Sequence, residues 1–167
     1  MAVAAELWCV ALLIAVAVLA MIPAVRASSL VVYGAMLGVT TIGFVVALFA
    51  MAAPASATVL PLGLPFIGAR FRVDALSAFF LLVVDFGAAA ACLYGIGYGR
   101  HEHEPQRVVP FFAAFLAGMN LVLLADDAFT FLVAWEFMSL ASWALVMAHH
   151  REPGNARAGF VYLVMAT

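Results

Sequence analysis

Lysine is absent from the 167 residues, and charged side chains of every kind make up only 10% of them. A water-soluble domain needs more charge than this to solvate its surface, so composition excludes a free-standing globular fold. Seven basic residues, all of them arginine, stand against nine acidic ones, and the resulting net charge of -2 gives no electrostatic basis for binding nucleic acid. The chain also lacks a glycine-rich phosphate loop, a cysteine cluster suited to iron and sulfur, and a nucleophile triad. A self-contained redox enzyme is therefore not expected, and no cofactor and no metal is assigned to the chain. Its two cysteines, Cys9 and Cys92, lie inside apolar runs, where each reads as a small hydrophobe and not as redox chemistry.

What the sequence has in abundance is apolar surface. Hydrophobic residues are 68% of the chain, and the mean hydropathy is +1.19. Measured against the ~20 residues that cross a hydrocarbon core of roughly 30 Å, the apolar runs give five complete spans. They cover Leu7 to Val25, Leu30 to Ala52, Ala75 to Tyr98, Val108 to Ala125 and Ala128 to Ala148. A sixth run, Arg157 to Thr167, reaches only about 16 Å at 1.5 Å per residue, half the hydrocarbon thickness. Runs of this length without period-2 alternation are helices, and their low polarity on all faces excludes surface-lying amphipathic helices. The expected fold is all-α, one polytopic transmembrane bundle over residues 1–167 with five full spans and a truncated sixth. The first run lacks the basic flank of a secretory signal and is longer than its apolar segment, so it reads as a retained span.

Loop charges set the orientation. Arg26, Arg100, Arg107, Arg151 and Arg157 follow spans one, three and five, whereas Arg70 and Arg72 share the long connection after span two. The positive-inside rule then puts the N-terminus outside. That connection, Ala53 to Asp74, is rich in Pro and Gly, and its Arg70-Phe71-Arg72-Val73 alternation suggests a short strand or hairpin on the outer surface.

Two acids fall inside spans. Glu136 sits eight residues into the fifth and Asp85 ten residues into the third, each close to the middle of its helix. A carboxylate there costs about 2.5 to 3.5 kcal/mol on insertion scales, which makes it an ion or proton relay by default. The alternative is a protonated acid that only hydrogen-bonds a neighbouring helix. Glu136 is expected to lie buried in the bundle, beside Trp135, Ser139, Ser142 and Trp143; Ser139 and Trp143 share nearly its face. Asn120 lines a path or makes a helix-helix hydrogen bond. Asp126 and Asp127 form the turn before span five and suit a helix cap. His101 and His103 fit either a metal or a solvated loop, and the loop is favoured because no third ligand is fixed. His149 and His150 either feed protons or end the helix at the interface.

The runs Phe71-Arg72-Val73-Asp74-Ala75-Leu76-Ser77 and Asp127-Ala128-Phe129-Thr130-Phe131-Leu132-Val133-Ala134-Trp135-Glu136-Phe137-Met138-Ser139-Leu140 closely resemble the antiporter-like proton-translocating subunits. That family is shared by respiratory complex I, multisubunit cation/proton antiporters and membrane-bound hydrogenases. Tyr94 to Tyr98 and Val161 to Thr167 look most like the branch of hydrogenase-4 component B and the formate hydrogenlyase membrane subunit. The resemblance covers the chain from span two onward. It implies a larger subunit of roughly fourteen helices with two inverted repeats, each holding a broken helix, of which this chain would be the incomplete N-terminal part. It also implies a proton path in which Glu136 pairs with a Lys on a later helix; Asp85, a second candidate for proton translocation, matches no functional residue of the family, and Asn120, Ser139, His149 and His150 are candidate proton-path or supporting residues. Implied partners are other membrane subunits of a complex I-like or hydrogenase complex, which carry the redox centres, and the lipid bilayer of a bacterial-type inner membrane. Three functional readings follow: a proton-translocating subunit, a cation/proton antiporter subunit, and a non-conducting structural remnant.

Overall fold

The computed structural model describes residues 1–26, 28–63, 68–99, 105–149 and 154–166, with only the backbone of Arg26, His149 and Ala166. The elements run in the order α1 (Ala2–Leu19), the single turn α2 (Pro23–Arg26), α3 (Ser29–Ala50), the strands β1 (Ser56–Leu60) and β2 (Ala69–Val73), α4 (Ala75–Tyr98), α5 (Pro105–Leu124), α6 (Ala128–Val146) with a 3-10 turn (Met147–His149), and α7 (Asn155–Ala166). Five of the helices, α1, α3, α4, α5 and α6, are long and apolar enough to cross a membrane. The protein is thus a multi-pass membrane protein. Large apolar side chains such as Trp8, Phe49, Phe86 and Leu132 point outward along these helices, as hydrocarbon-facing residues do and as a soluble surface does not.

Four of the spans match the sequence expectation to within a few residues. The first starts earlier, at Ala2 instead of Leu7, and stops at Leu19, because Ala20 to Ile22 turn into the short α2. The shift matters chemically: Glu6, one position before the expected start at Leu7, is inside the span.

Helix α1 lies between α3 and α5; α4 packs on α3 and also touches α5, α6 packs on α5, and α7 leans on α6. In α4 the buried residues fall three and four apart, Ala78, Leu81, Asp85, Ala88 and Cys92. The α5–α6 contact is close because Gly118 has no side chain. A Cβ there would stand 2.8 Å from the backbone Cα of Met138, the small-residue approach by which membrane helices pack.

Strands β1 and β2 form an antiparallel hairpin in register Ser56 to Val73 through Leu60 to Ala69. The expected alternation holds: Ala69, Phe71 and Val73 are buried, and Arg70 and Arg72 are exposed. The hairpin closes one end of the bundle. Val3 N–H donates to Ser56 Oγ at 3.2 Å, and Asp126 N–H donates to the Arg70 carbonyl at 2.9 Å.

Local chemistry starts the helices at this end. Asp74 caps α4 in a reciprocal box, accepting from Ser77 N–H at 3.0 Å while its own N–H donates to Ser77 Oγ at 2.9 Å. Asp127 caps α6, as its position in the turn predicts, accepting from Thr130 N–H at 2.8 Å and Thr130 Oγ at 2.5 Å. The Thr130 hydroxyl and amide, with Arg70 N–H, hold the Asp127 carboxyl down to about 2.

Two outcomes test this packing. Gly118→Ala should destabilise the detergent-solubilised protein by about 1 to 3 kcal/mol, the usual cost of overpacking. Gly87→Ala, which has no heavy atom within 4 Å of the added Cβ, should not lower the melting temperature, since Ala is also the better helix former. Because the Asp127 carboxyl is depressed, its contribution is complete above the unfolded value of ~3.9 and disappears as pH falls through about 2. Asp127→Ala should therefore lower the melting temperature by a constant amount from neutral pH down to mild acid. That difference should shrink on stronger acidification, and one that grew instead would contradict the capping role.

Candidate functional site: a buried acid cluster and a separate outward glutamate

Of the residues singled out in the sequence, Asp85 and Asn120 meet. Asp85 occupies the middle of the buried stripe of α4, and Asn120 sits in the buried stripe of α5 between Leu116 and Leu124. The Asn120 amide donates across the interface to Asp85 Oδ1 at 3.3 Å and along its own helix to the Leu116 carbonyl at 3.0 Å. The bond to Asp85 is a helix-helix hydrogen bond, one of the two readings of Asn120.

The third member is Glu6 of α1. It follows Val3 and precedes Val10, Leu13 and Ala17 on the buried face of that helix, and only 1% of it is exposed, against 2% for Asp85 and 3% for Asn120. Gly43 of α3 makes room for both acids. A Cβ on Gly43 would collide with Asp85 Oδ2 and stand 3.5 Å from Glu6 Oε2. Four helices thus converge on two carboxyl groups and one amide. Three of their oxygens, Glu6 Oε1, Asp85 Oδ2 and Asn120 Oδ1, are buried without a hydrogen-bond partner. An orphaned buried polar atom of this kind is costly and calls for an explanation.

Glu6 was missed in the sequence because a charge next to an apolar run ordinarily marks its end. The signal that finds it is register: Val3, Glu6, Val10, Leu13 and Ala17 are spaced as one helical face.

Glu136 is elsewhere, and the expectation that it is buried does not hold among the described helices. The surface that α6 turns to α5 carries Thr130, Ala134 and Ala141, and Glu136 lies on the opposite side, exposed. Helical geometry is the reason, since a residue two positions beyond Ala134 is rotated by about 200° from it. Ser139 is buried and donates to the Glu136 backbone carbonyl at 3.2 Å. Ser142 and Tyr162 share a hydrogen bond of 2.6 Å between their hydroxyls, tying α6 to α7. Ser139 does not join the acid cluster. His149 has its backbone in the 3-10 turn that ends α6, and His101, His103 and His150 lie outside the described residues. Cys9 and Cys92 are free and buried, in line with their reading as small hydrophobes.

No protein-family model matches the chain. Relatives do. An uncharacterized protein of Mycobacterium tuberculosis is 39% identical over 131 residues, 77% of this chain and 20% of the relative. Hydrogenase-4 component B of Escherichia coli is 38% identical over 97 residues, 57% of this chain and 14% of the relative. NADH-quinone oxidoreductase subunit L of Mycobacterium tuberculosis is 30% identical over 94 residues, 56% of this chain and 15% of the relative. The chain spans about a fifth or less of the length of these curated relatives. Over that stretch the chain is similar to antiporter-like membrane subunits of the complex I and hydrogenase type.

Proposed function

We propose that this chain is part of a proton-translocating subunit in a bacterial-type inner membrane, working beside membrane and redox subunits of a complex I-like or hydrogenase assembly. The observation that carries the reading is Glu136: a carboxylate near the middle of α6, on the side turned away from α5. Facing hydrocarbon, that group costs about 2.5 to 3.5 kcal/mol, so its face is suited to a protein partner or a wet path and not to lipid. An acid placed between those two environments changes its proton occupancy when the partner moves, which is the elementary step of proton transfer. The resemblance supplies a cation for it, a Lys on a later helix, and since this chain holds no Lys the cation would come from beyond these residues. Ser139 supports the site by bonding the Glu136 carbonyl. Asp85, held by Asn120, is the second acid of the proposed path. The relatives named as a hydrogenase component and as a NADH-quinone oxidoreductase subunit support partners of that kind for this chain.

Replacing Glu136 with Gln in the intact assembled subunit should cut proton pumping into sealed vesicles by roughly 10²-fold or more, the scale of a lost acid-base group. Assembly, read as the amount of complex purified, should stay the same. Unchanged pumping would remove Glu136 from the mechanism.

A further inference from the structure

We propose that Glu6, Asp85 and Asn120 form a second proton-binding site, in which both carboxyl groups are neutral acids when α1, α3, α4 and α5 are packed together. The proposal rests on hydrogen-bond accounting. Three acceptor oxygens at the cluster, Glu6 Oε1, Asp85 Oδ2 and Asn120 Oδ1, lack a donor, and both Asn120 amide protons are directed elsewhere, to Asp85 Oδ1 and the Leu116 carbonyl. Among the described residues no buried side-chain N–H or O–H near the cluster is without a partner, and the one thiol there is a weak donor. The other polar groups facing the cluster are the thiol of Cys9, one turn from Glu6 on α1, and Thr40 of α3, whose hydroxyl is committed to the Met36 and Leu37 carbonyls. Helices α1, α3 and α4 carry no basic residue, and Arg107 of α5 is 13 positions from Asn120, about 20 Å along the helix.

Two protons settle this account. One on Glu6 and one on Asp85 turn two orphan acceptors into donors, and the acceptors left for them are Asn120 Oδ1 and the second oxygens of the pair, Glu6 Oε2 and Asp85 Oδ1. Both protons are taken from bulk water as the helices close and return to it when they part. Ionised, the pair would place two like charges against the same Gly43 in a low-dielectric interior with no cation opposite, an arrangement that proteins neutralise. A divalent cation is the other way to neutralise two carboxylates, but it asks for about six oxygen ligands, and three are unpartnered here. The neighbouring cavity of about 500 Å³, lined by Leu7, Val10 and Phe71, includes neither acid nor Asn120 in its wall.

The site uses Asp85, which the proposed function also uses, but its test reads protonation at rest and not transport, so either can fail alone. The full-length protein carrying this chain, labelled with ¹³C at Asp and Glu carboxyls, is reconstituted into phosphatidylethanolamine-phosphatidylglycerol vesicles at pH 7 and read by solid-state NMR. Two resonances at the neutral-acid position are expected, identical in potassium, sodium and magnesium buffers; Glu6→Gln should remove one and Asp85→Asn the other. The double variant, whose side-chain amides keep a donor on each side, should fold in wild-type yield. Carboxylate resonances for this pair in all buffers would overturn the proposal. Neutral-acid resonances that appear only when one of the cations is withheld would replace it with a cation site. Should a variant fail to fold, the wild-type protein in the three buffers still decides the matter.

Discussion

A carboxylate inside hydrocarbon must be neutralised by a proton, a cation or a protein partner, and three acids impose that requirement on this chain. Glu6 and Asp85 are enclosed by the helices around them, whereas Glu136 faces away from them. The first two therefore have to be satisfied locally, and the third by whatever covers the outer face of α6. At about 2.5 to 3.5 kcal/mol per exposed charge on insertion scales, against a total stability of about 5 to 15 kcal/mol for a typical domain, such residues are costly enough to require a physical reason.

The fold brings the enclosed acids together by simple means. Placing α1 between α3 and α5, with α4 reaching from α3 to α5, aligns the stripes that carry Glu6, Gly43, Asp85 and Asn120. Gly43 contributes by having no side chain, since a Cβ would occupy the space that Asp85 Oδ2 takes. The hairpin and the caps at Asp74 and Asp127 hold that end of the bundle in register, through Val3 N–H on Ser56 and Arg70 N–H on Asp127 Oδ2 at 3.0 Å. Exposed polar chemistry at the membrane border thus positions buried polar chemistry within it.

Much of this was legible in the residues. Run length located four spans to within a few positions, Phe71 and Val73 announced a strand through their alternation with Arg70 and Arg72, and Asp127 announced a cap. What was not legible is which way each helix faces. In a water-soluble bundle the polar face reveals the buried one; in α6 apolar residues surround the helix, so nothing in the sequence distinguished the side of Ala134 from the side of Glu136. For the same reason Asp85 and Asn120, 35 positions apart, could be called polar but not paired. Glu6 was obscured by a sound rule, that charges bound spans, which fails here because the helix begins a turn earlier than its hydropathy.

On the two proposals above, the chain would hold two kinds of proton site: an enclosed pair that holds protons when the bundle is closed, and a single outward Glu136 available to a moving partner. Time-resolved infrared spectroscopy of the working full-length complex, with Glu carboxyls isotope-labelled, addresses the central claim that Glu136 changes protonation as the complex turns over. The account predicts a neutral-acid carbonyl band that rises and decays with each turnover and is missing in Glu136→Gln. A wild-type spectrum with no such band during active proton transport would contradict it.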